Sequence, residues 1–376
     1  MINNVFVTRT AACLPLDPVT NDEIESVLGR VGGRPSRARA IVLRNNGITH
    51  RHYALDRSTG EPVMTNAQLA AAAIRGLGEI GPVECLAAAT SVADQILPGH
   101  ASMVHGEIGW PSLEAVSLAG VCLSGTAALR YAAMAVACGA RRAVASASEL
   151  VSPLLHASRF EAEVQARVDA LERNPEIAFE KDFLRWMLSD GAGAMLLEPT
   201  PGDGQSLRID WIELFSQAHK LPACMYLGAD REPDGTLRGW MRQSPADWHM
   251  GSTFALKQDV RLLDAHIAQA TIIDPVEQIR ERRGLAADDV DWFLPHLSSM
   301  YFAPRLEKAL AVAGLPIPRE RWFTNLVTCG NTGSASPYIM LDALIASKQL
   351  RSGQRVLLFI PESGRFASGF VQFEVV

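Results

Sequence analysis

Three residues with side chains suited to acyl chemistry stand in separate segments of the chain: Cys122, His296 and Asn331. A short apolar run and a Gly-containing turn precede Cys122, and the small residues after it predict a helix. A sulfur at a helix N-terminus lies near unpaired N–H groups and the positive end of the dipole, which favour thiolate. Its own backbone N–H can point toward an oxyanion. A core cysteine at the start of a buried helix fits this segment equally well.

His296 and Asn331 each occupy a predicted loop between a strand and a helix. His296 follows the apolar run Trp292–Pro295, and Asn331 stands between Gly330 and Thr332 in a tight turn. Active sites of α/β proteins gather at strand ends. Each residue alone also reads as a structural one, a hydrogen-bonding loop histidine or a turn ahead of a helix cap. Together the three indicate a nucleophile with two polar helpers.

Short apolar runs alternate with helical stretches along the chain, which predicts an α/β fold. The predicted strands are Val5–Arg9, Cys85–Thr90, Ala115–Leu118, Ala143–Ser148, Ala192–Leu197, Arg208–Leu214, Trp292–Pro295, Arg355–Ile360 and Phe370–Val375. The predicted helices include Asn66–Gly78, Leu123–Cys138, Val260–Arg283, Tyr301–Ala313 and Ser336–Ser347. Residues 1–205 and 206–376 look alike in outline, because each half has a reactive loop, a helix and a closing strand pair. This predicts a duplicated core.

Two segments differ from that core. The segment near 158–186 is dense in Arg and Glu with helical apolar spacing, and we expect a helical insertion there. The segment near 218–249 is rich in Gly, Pro and Trp, and we expect an irregular insertion. We favour a surface helix and a surface loop, since insertions generally lie outside the core. The alternative is a lid over a pocket.

The bulk composition restricts the function. The chain has 376 residues, 48% of them hydrophobic, and a net charge of −6, which argues against nucleic acid as the main partner. No secretory signal is visible in Met1–Pro15 and no apolar run is long enough to span a bilayer, so we expect a soluble, cytoplasmic protein. The six cysteines form no CxxC pair, and none lies at metal-ligand spacing. We therefore expect free thiols and no metal.

The motifs resemble those of the condensing enzymes of the thiolase superfamily, most closely β-ketoacyl–acyl carrier protein synthase III. Pro295-His296, Gly330-Asn331-Thr332 and the Asp-Gly-Ala-Gly-Ala run at 190–194 match motifs of that family. Arg44, with Gly47-Ile48 and Arg51, resembles its Arg-Thr-Gly-Ile motif. The Cys122 segment is also similar to the nucleophile segment of hydroxymethylglutaryl-CoA synthase, a relative with the same fold. The resemblance covers nearly the whole chain.

This resemblance implies a fold and a reaction. The fold is a thiolase-like α/β fold, with duplicated βαβαβαββ halves that form a five-layered αβαβα core. Cys122 would carry the acyl group, and His296 and Asn331 would hold the enolate of a malonyl- or β-ketoacyl-carrier thioester during a Claisen condensation. The backbone N–H groups of Cys122 and Gly364 would form the oxyanion hole. A neutral Asn suits decarboxylation, because a carboxylate there would repel the malonyl charge.

The resemblance also implies partners. We expect thioester substrates on the phosphopantetheine of an acyl carrier protein or on CoA, no bound cofactor, and a homodimer. Arg44, Arg305 and Leu97 are the candidate substrate- or carrier-binding residues. Where the family has a Trp that stacks on the CoA adenine, this chain has Ala40 and Ile41. Such departures favour a member of specialised metabolism.

Three other interpretations stay open. The chain can be an acyltransferase of the same fold that makes an ester or thioester without a new carbon–carbon bond. It can be the half-active partner of a heterodimeric ketosynthase. A reaction like that of hydroxymethylglutaryl-CoA synthase is the third, and it needs a general-base carboxylate near Cys122 that the sequence does not identify.

Overall fold

The computed structural model describes residues 4–33, 35–36, 39–159, 184–250 and 253–376. All nine predicted strands are present, and they form one nine-stranded sheet. The strands are β1 (Phe6–Cys13), β2 (Cys85–Thr90), β3 (Glu114–Ala119), β4 (Ala143–Glu149), β5 (Gly191–Glu198), β6 (Leu207–Ser216), β7 (Trp292–Pro295), β8 (Arg355–Glu362) and β9 (Ala367–Val375). The main helices are α1 (Arg39–Asn46), α2 (Asn66–Arg75), α3 (His100–Ile108), α4 (Ser124–Ala137), α5 (Val260–Ala268), α6 (Asp274–Arg283), α7 (Ala303–Val312) and α8 (Ser336–Ala346).

The strand order is β7-β8-β9-β6-β1-β5-β4-β2-β3. In the first half the parallel strands β3, β2 and β4 are followed by antiparallel β5 and β1. In the second half parallel β7 and β8 are followed by antiparallel β9 and β6. The halves join where β1 pairs with β6 over only two residues of each strand. The sheet thus repeats one outline on either side of a narrow junction.

The layers follow from the alternation of side chains along each strand. In β2, Cys85, Ala87 and Ala89 face a central core that contains α4, α8 and strands of both halves. Leu86 and Ala88 face the opposite side, where α2 and α3 pack. Strand residues of the second half pack outward on α6 and α7 in a third core. Helices therefore cover both outer faces and fill the middle, which gives the five layers that the resemblance implied.

The long helix predicted over Val260–Arg283 is continuous but not uniform. α5 begins after Asp259, whose side chain caps Leu262 N, and α6 ends at Gly284 in the left-handed region. Between them Gln269–Ile273 forms a π-helical turn. Turns of this kind recur near functional sites, and Ile272 of this one lines the cavity described below.

The two predicted insertions have different outcomes. Most of the segment near 158–186 lies outside the described residues. The segment near 218–249 contains short strands where irregular chain was expected: Ala229–Arg231 pairs with Leu237–Gly239, and Met225–Tyr226 pairs with Lys257–Gln258. Within the part of the chain that the structure describes, no helix is long and apolar enough to cross a membrane.

Candidate active site

Cys122, His296 and Asn331 line one cavity of about 400 Å³. Cys122 lies between the end of β3 and the start of α4, as the sequence predicted. Gly125 in the first turn of α4 explains how this loop meets the loop of Asn331. A Cβ at position 125 would come closer than 3.0 Å to the carbonyl oxygen of Ser334, so only glycine permits the approach.

His296 follows β7 and is buried, with 2% of its surface exposed. Its backbone N–H donates to the carbonyl of Phe359 at 2.8 Å, which fixes the strand end. Both ring nitrogens are buried without a hydrogen-bond partner among the described residues. Burial lowers the pKa of His296 to about 4, so the imidazole is neutral at pH 7. A neutral ring offers the cavity one donor and one acceptor.

Asn331 is held by backbone hydrogen bonds on both sides. Its N–H donates to Met187 O, and its carbonyl accepts from Ser189 N, both at 2.9 Å. Its side-chain oxygen accepts from Gly333 N at 3.0 Å. That contact fixes the orientation of the amide, because only the oxygen can accept. The Nδ2 group is left as a donor beside the cavity.

The surroundings of Cys122 include more than the helix N-terminus that the sequence indicated. The position before α4 favours thiolate. Burial raises the pKa of the Cys122 thiol, and the carboxyl groups of Glu362 and Glu149 raise it further. Desolvation and these two groups therefore act on the thiol in the opposite direction to the helix dipole.

Glu149 is a site residue that the sequence analysis missed. It ends β4, lines the cavity and is buried. Its Oε1 accepts from the N–H and Oγ of Ser91 at 3.0 and 2.7 Å, and from the N–H and Oγ of Ser334 at 3.1 and 2.5 Å. Burial raises the pKa of Glu149, whereas these four hydrogen-bond donors lower it. A charged residue that ends an otherwise small and apolar strand is the signal that could have found it.

Glu362 is the second missed carboxylate, and it ends β8. Its Oε2 accepts a hydrogen bond from Leu123 N, directly after the nucleophile, at 2.9 Å. Burial raises its pKa, while the N–H groups of Leu123 and Val121 act in the opposite direction. The two carboxylates thus belong to different halves of the fold and meet near Cys122.

The other predicted site residues are spread more widely. Arg305 lines the cavity, where it pairs with Asp264 and donates to Tyr301 Oη at 2.6 Å. Arg44 is exposed on α1, and Leu97 is 82% exposed in the loop before α3. Neither of these two lines the cavity.

Gly364 follows β8 and touches the nucleophile loop. A Cβ at this position would lie 2.8 Å from the side chain of Val121. Its carbonyl accepts from Cys224 N at 2.8 Å and Met225 N at 3.2 Å. Ser363, its neighbour, lines the cavity, whereas Gly364 is not part of the lining. The predicted oxyanion donor therefore lies beside the site and not on its wall.

Arg51, from the same motif as Arg44, is fully buried and supports the Asn331 loop. Its guanidinium donates twice to Trp186 O, at 3.1 and 2.6 Å. Gly330 packs on its side chain with φ of 71°, a conformation that favours glycine. The two arginines of one sequence motif thus have separate positions, one in the scaffold and one at the surface.

Apolar side chains form most of the rest of the cavity wall. They come from the first half, from the segment at 225–256, from α5 with its π turn, from the chain between β7 and the middle of α7, and from β8. These residues are Val92, Val121, Val151, Leu154, Leu155, Leu184, Met187, Leu188, Met225, Leu227, Leu256, Leu263, Ile267, Ile272, Leu297, Phe302, Leu306 and Phe359. Among the described residues, no group of His, Cys, Asp and Glu side chains is arranged to hold a metal ion.

Comparisons with known proteins agree with this geometry. Residues 280–367, which include His296 and Asn331, match the model of 3-oxoacyl-acyl-carrier-protein synthase III, C terminal. The β-ketoacyl-acyl-carrier-protein synthase III of Roseobacter denitrificans is 26% identical over 358 residues, 95% of each chain. The same enzyme of Oleidesulfovibrio alaskensis is 26% identical over 332 residues, 88% of each chain.

Solved structures show the same fold along the whole chain. AbyA1, a tetronic acid condensing enzyme, has a TM-score of 0.74 at 21% identity, covering 98% of this chain and 99% of its own. The 3-oxoacyl-(acyl carrier protein) synthase III of Pseudomonas aeruginosa has a TM-score of 0.69 at 20% identity, covering 98% of both. OleA of Xanthomonas campestris has a TM-score of 0.71 at 20% identity, covering 99% of this chain and 97% of its own.

Fold and site together define a class. The αβαβα layers bring a cysteine, a histidine and an asparagine to one buried cavity. The predicted resemblance to the β-ketoacyl–acyl carrier protein synthase III-like condensing enzymes of the thiolase superfamily is confirmed by the family model over residues 280–367 and by the relatives that match along most of the chain.

Proposed function

We propose that this enzyme joins an acyl group carried on Cys122 to a malonyl- or β-ketoacyl-carrier thioester by Claisen condensation. One observation carries the proposal. The cavity that holds the thiol is also lined by His296, whose two buried ring nitrogens have no hydrogen-bond partner among the described residues, and by Asn331, whose side-chain oxygen is held by Gly333 N. Buried polar groups are almost always hydrogen-bonded, so a ligand oxygen is expected there.

The first half-reaction loads the cysteine. The Cys122 sulfur attacks the carbonyl carbon of an acyl thioester, a new carbon–sulfur bond forms, and the carrier's carbon–sulfur bond breaks. The proton of the Cys122 thiol leaves on the carrier thiol. Neutral His296 can relay that proton, since one ring nitrogen accepts while the other donates.

The second half-reaction forms the carbon–carbon bond. Hydrogen bonds from His296 and Asn331 to the carbonyl of the second thioester stabilise the enolate that forms when carbon dioxide leaves. One such donor is worth ~3 kcal/mol in the transition state. The enolate carbon attacks the acyl-Cys122 carbonyl, with the oxyanion held by the backbone N–H of Cys122. Collapse expels the Cys122 thiolate and frees the β-keto product.

The apolar wall supports an acyl group with a hydrocarbon chain. A buried methylene contributes about 0.8 kcal/mol of transfer free energy, so this wall favours chains over small polar acyl groups. The carrier would be an acyl carrier protein or CoA, with Arg305 at the cavity and Arg44 on the surface as the cationic contacts. In this reaction the thioester substrates supply the chemistry and no bound cofactor is needed.

A second copy of the chain is the proposed partner in assembly. β3 is an edge strand with a largely exposed face, and the exposed Ile96 and Leu97 stand in the loop before α3. Exposed edge strands and apolar surface residues are typical of interfaces. We assign the enzyme to specialised metabolism, because Ala40 and Ile41 stand where the synthase III family has a Trp that stacks on the CoA adenine.

The cavity also supports a second candidate reaction. Glu149 lines the cavity with Cys122, and among the described residues its Oε2 receives a single 3.3 Å contact, from Ser91 N. A carboxylate there can remove an α-proton, which would allow condensation without decarboxylation. Release of carbon dioxide with each product molecule supports the first reaction, and condensation of a substrate that has no carboxylate supports the second.

The test of the proposed function is Cys122→Ala. Incubation of the wild-type protein with an acyl thioester is expected to add the mass of one acyl group, located on Cys122 by peptide mass spectrometry. The variant should gain no mass and form no product. Cys329→Ala, at another half-buried thiol, is the matched control and should be acylated normally. Acylation of the Cys122→Ala protein at another residue would refute the assignment.

A further inference from the structure

Two neutral polar side chains, Gln258 and Ser363, lie together in the largely apolar wall of the cavity. Gln258 Nε2 donates a hydrogen bond to Ser363 Oγ at 3.1 Å, and among the described residues the Gln258 carboxamide makes no other hydrogen bond. Gln258 is only 5% exposed. A carboxamide has two donor hydrogens and an acceptor oxygen, and buried polar groups are almost always hydrogen-bonded. The pair is therefore built to meet a polar group of a ligand.

Backbone hydrogen bonds hold the two side chains in place. Gln258 lies in a short strand that pairs with Met225–Tyr226. Cys224 N and Met225 N donate to Gly364 O at 2.8 and 3.2 Å, which ties this strand pair to the residue after Ser363. Groups that are already ordered lose little conformational entropy when a ligand binds. The pair is thus pre-organised for a hydrogen bond with a ligand.

The pair also lies beside the nucleophile loop. Gly364 packs so closely on Val121 that a Cβ at position 364 would lie 2.8 Å from the Val121 side chain. Val121 directly precedes Cys122. A ligand group that binds the pair therefore belongs to the part of the substrate near its thioester. Two neutral groups meet this condition: the carrier-arm amide closest to the sulfur, and a hydroxyl on one of the first carbons of the acyl chain.

We propose that Gln258 and Ser363 form a subsite for a neutral hydrogen-bonding group, an amide or a hydroxyl, close to the thioester of the substrate. A substrate without such a group leaves the Gln258 carboxamide unpaired in the bound state, although its hydrocarbon part still packs on the apolar wall. Sites of this kind discriminate against analogues that lack the polar group. The inference rests on the proposed role of Cys122 as the acyl acceptor.

Gln258→Met tests the subsite, because methionine is similar in length and has no hydrogen-bonding amide. The measurement is the rate of Cys122 acylation, followed by mass. One comparison uses octanoyl thioesters of N-acetylcysteamine, which has an amide, and of pentanethiol, which has none. The other uses octanoyl and 3-hydroxyoctanoyl thioesters of N-acetylcysteamine. We expect the variant to reduce the wild-type preference for the amide, the hydroxyl or both by roughly threefold to tenfold.

Two further variants make the test decisive. Gln205→Met is the same substitution at an exposed glutamine, whose Nε2 donates to Leu350 O at 3.1 Å, and it should leave both preferences unchanged. Ser363→Ala removes the other side chain of the pair and should reduce the same preference as Gln258→Met. It decides the test if Gln258→Met does not fold. The thioesters differ in intrinsic reactivity, but this difference is the same for every variant and cancels when their preferences are compared.

The outcomes assign the subsite or refute it. A reduced preference for the amide assigns the subsite to the carrier arm, and a reduced preference for the hydroxyl assigns it to the acyl chain. If Gln258→Met and Ser363→Ala both keep the two wild-type preferences, the inference is wrong. Acylation of Cys122 by any of these thioesters supports the proposed function whatever the preferences are, so the inference and the proposed function fail separately.

Discussion

The polar side chains on the two sides of the cavity differ in whether they have hydrogen-bond partners. On the wall of the first half, Glu149 receives four hydrogen bonds at one oxygen. On the wall of the second half, neither ring nitrogen of His296 has a partner among the described residues. A buried polar group without a partner costs about 1–3 kcal/mol. We therefore infer that Glu149 stabilises the framework of the site and that His296 forms its hydrogen bond with an oxygen of the substrate.

The largest expected effect is on the rate of condensation, and it comes from removing the side chain of His296 or Asn331. His296→Ala and Asn331→Ala should each slow condensation by about a hundredfold or more, since each loses one enolate donor. Acylation of Cys122 should change far less in Asn331→Ala, because that half-reaction forms no enolate. Single-turnover acylation, followed by mass, and product formation measure the two steps separately. If Asn331→Ala slowed acylation and condensation equally, the proposed role of Asn331 in holding the enolate would be wrong.

The second effect concerns stability against acid. The folded pKa of His296 is lowered to about 4, while an unfolded histidine titrates near 6.5. Between these values the unfolded chain binds a proton that the folded site does not, so stability falls as pH falls through this window. The loss for His296 is roughly 3 kcal/mol, complete below about pH 4.

Denaturant unfolding at pH 7 and near pH 4 measures this loss. His296→Gln should lose less stability across the window than the wild type. Buried His100, whose pKa is also lowered to about 4 by burial, contributes the same trend to both proteins. A His296→Gln variant with the full wild-type pH dependence would show that the imidazole is not held neutral by burial.

The smallest expected effect on activity comes from removing one of the hydrogen bonds to Glu149. Ser334→Ala removes the Oγ donor to Glu149 and should lower the free energy of unfolding by about 1–2 kcal/mol. Activity should fall only modestly, because the backbone N–H of Ser334 still donates to the same oxygen. Ser347→Ala is the matched control, because the Ser347 hydroxyl donates a hydrogen bond to Leu344 O near the surface. If Ser334→Ala lost more activity than Asn331→Ala, the hydrogen bonds to Glu149 would matter more for catalysis than the Asn331 amide, contrary to this interpretation.

Local patterns predicted the elements well. The apolar runs at Cys85–Thr90 and Trp292–Pro295 coincide with β2 and β7, because short runs of buried residues bounded by polar turns have few other stable forms. The sequence also placed Cys122 and His296 correctly after strand ends, where active sites of α/β folds gather. The same prediction is wrong for Asn331, which lies between the short helix Leu326–Cys329 and α8.

The charges at the nucleophile could not be predicted in this way. Sequence alone determined that Cys122 precedes a helix of small residues, and this local feature favours thiolate. Only the tertiary structure brought Glu149 from β4 and Glu362 from β8 to the surroundings of Cys122, with Glu149 buried and the other two half-buried. Hydrogen bonds and charges act through space over a few ångströms, whereas 239 residues separate Glu362 from Leu123 along the chain. The sequence thus predicts which residue is the nucleophile, and only the fold determines which groups act on the pKa of its thiol.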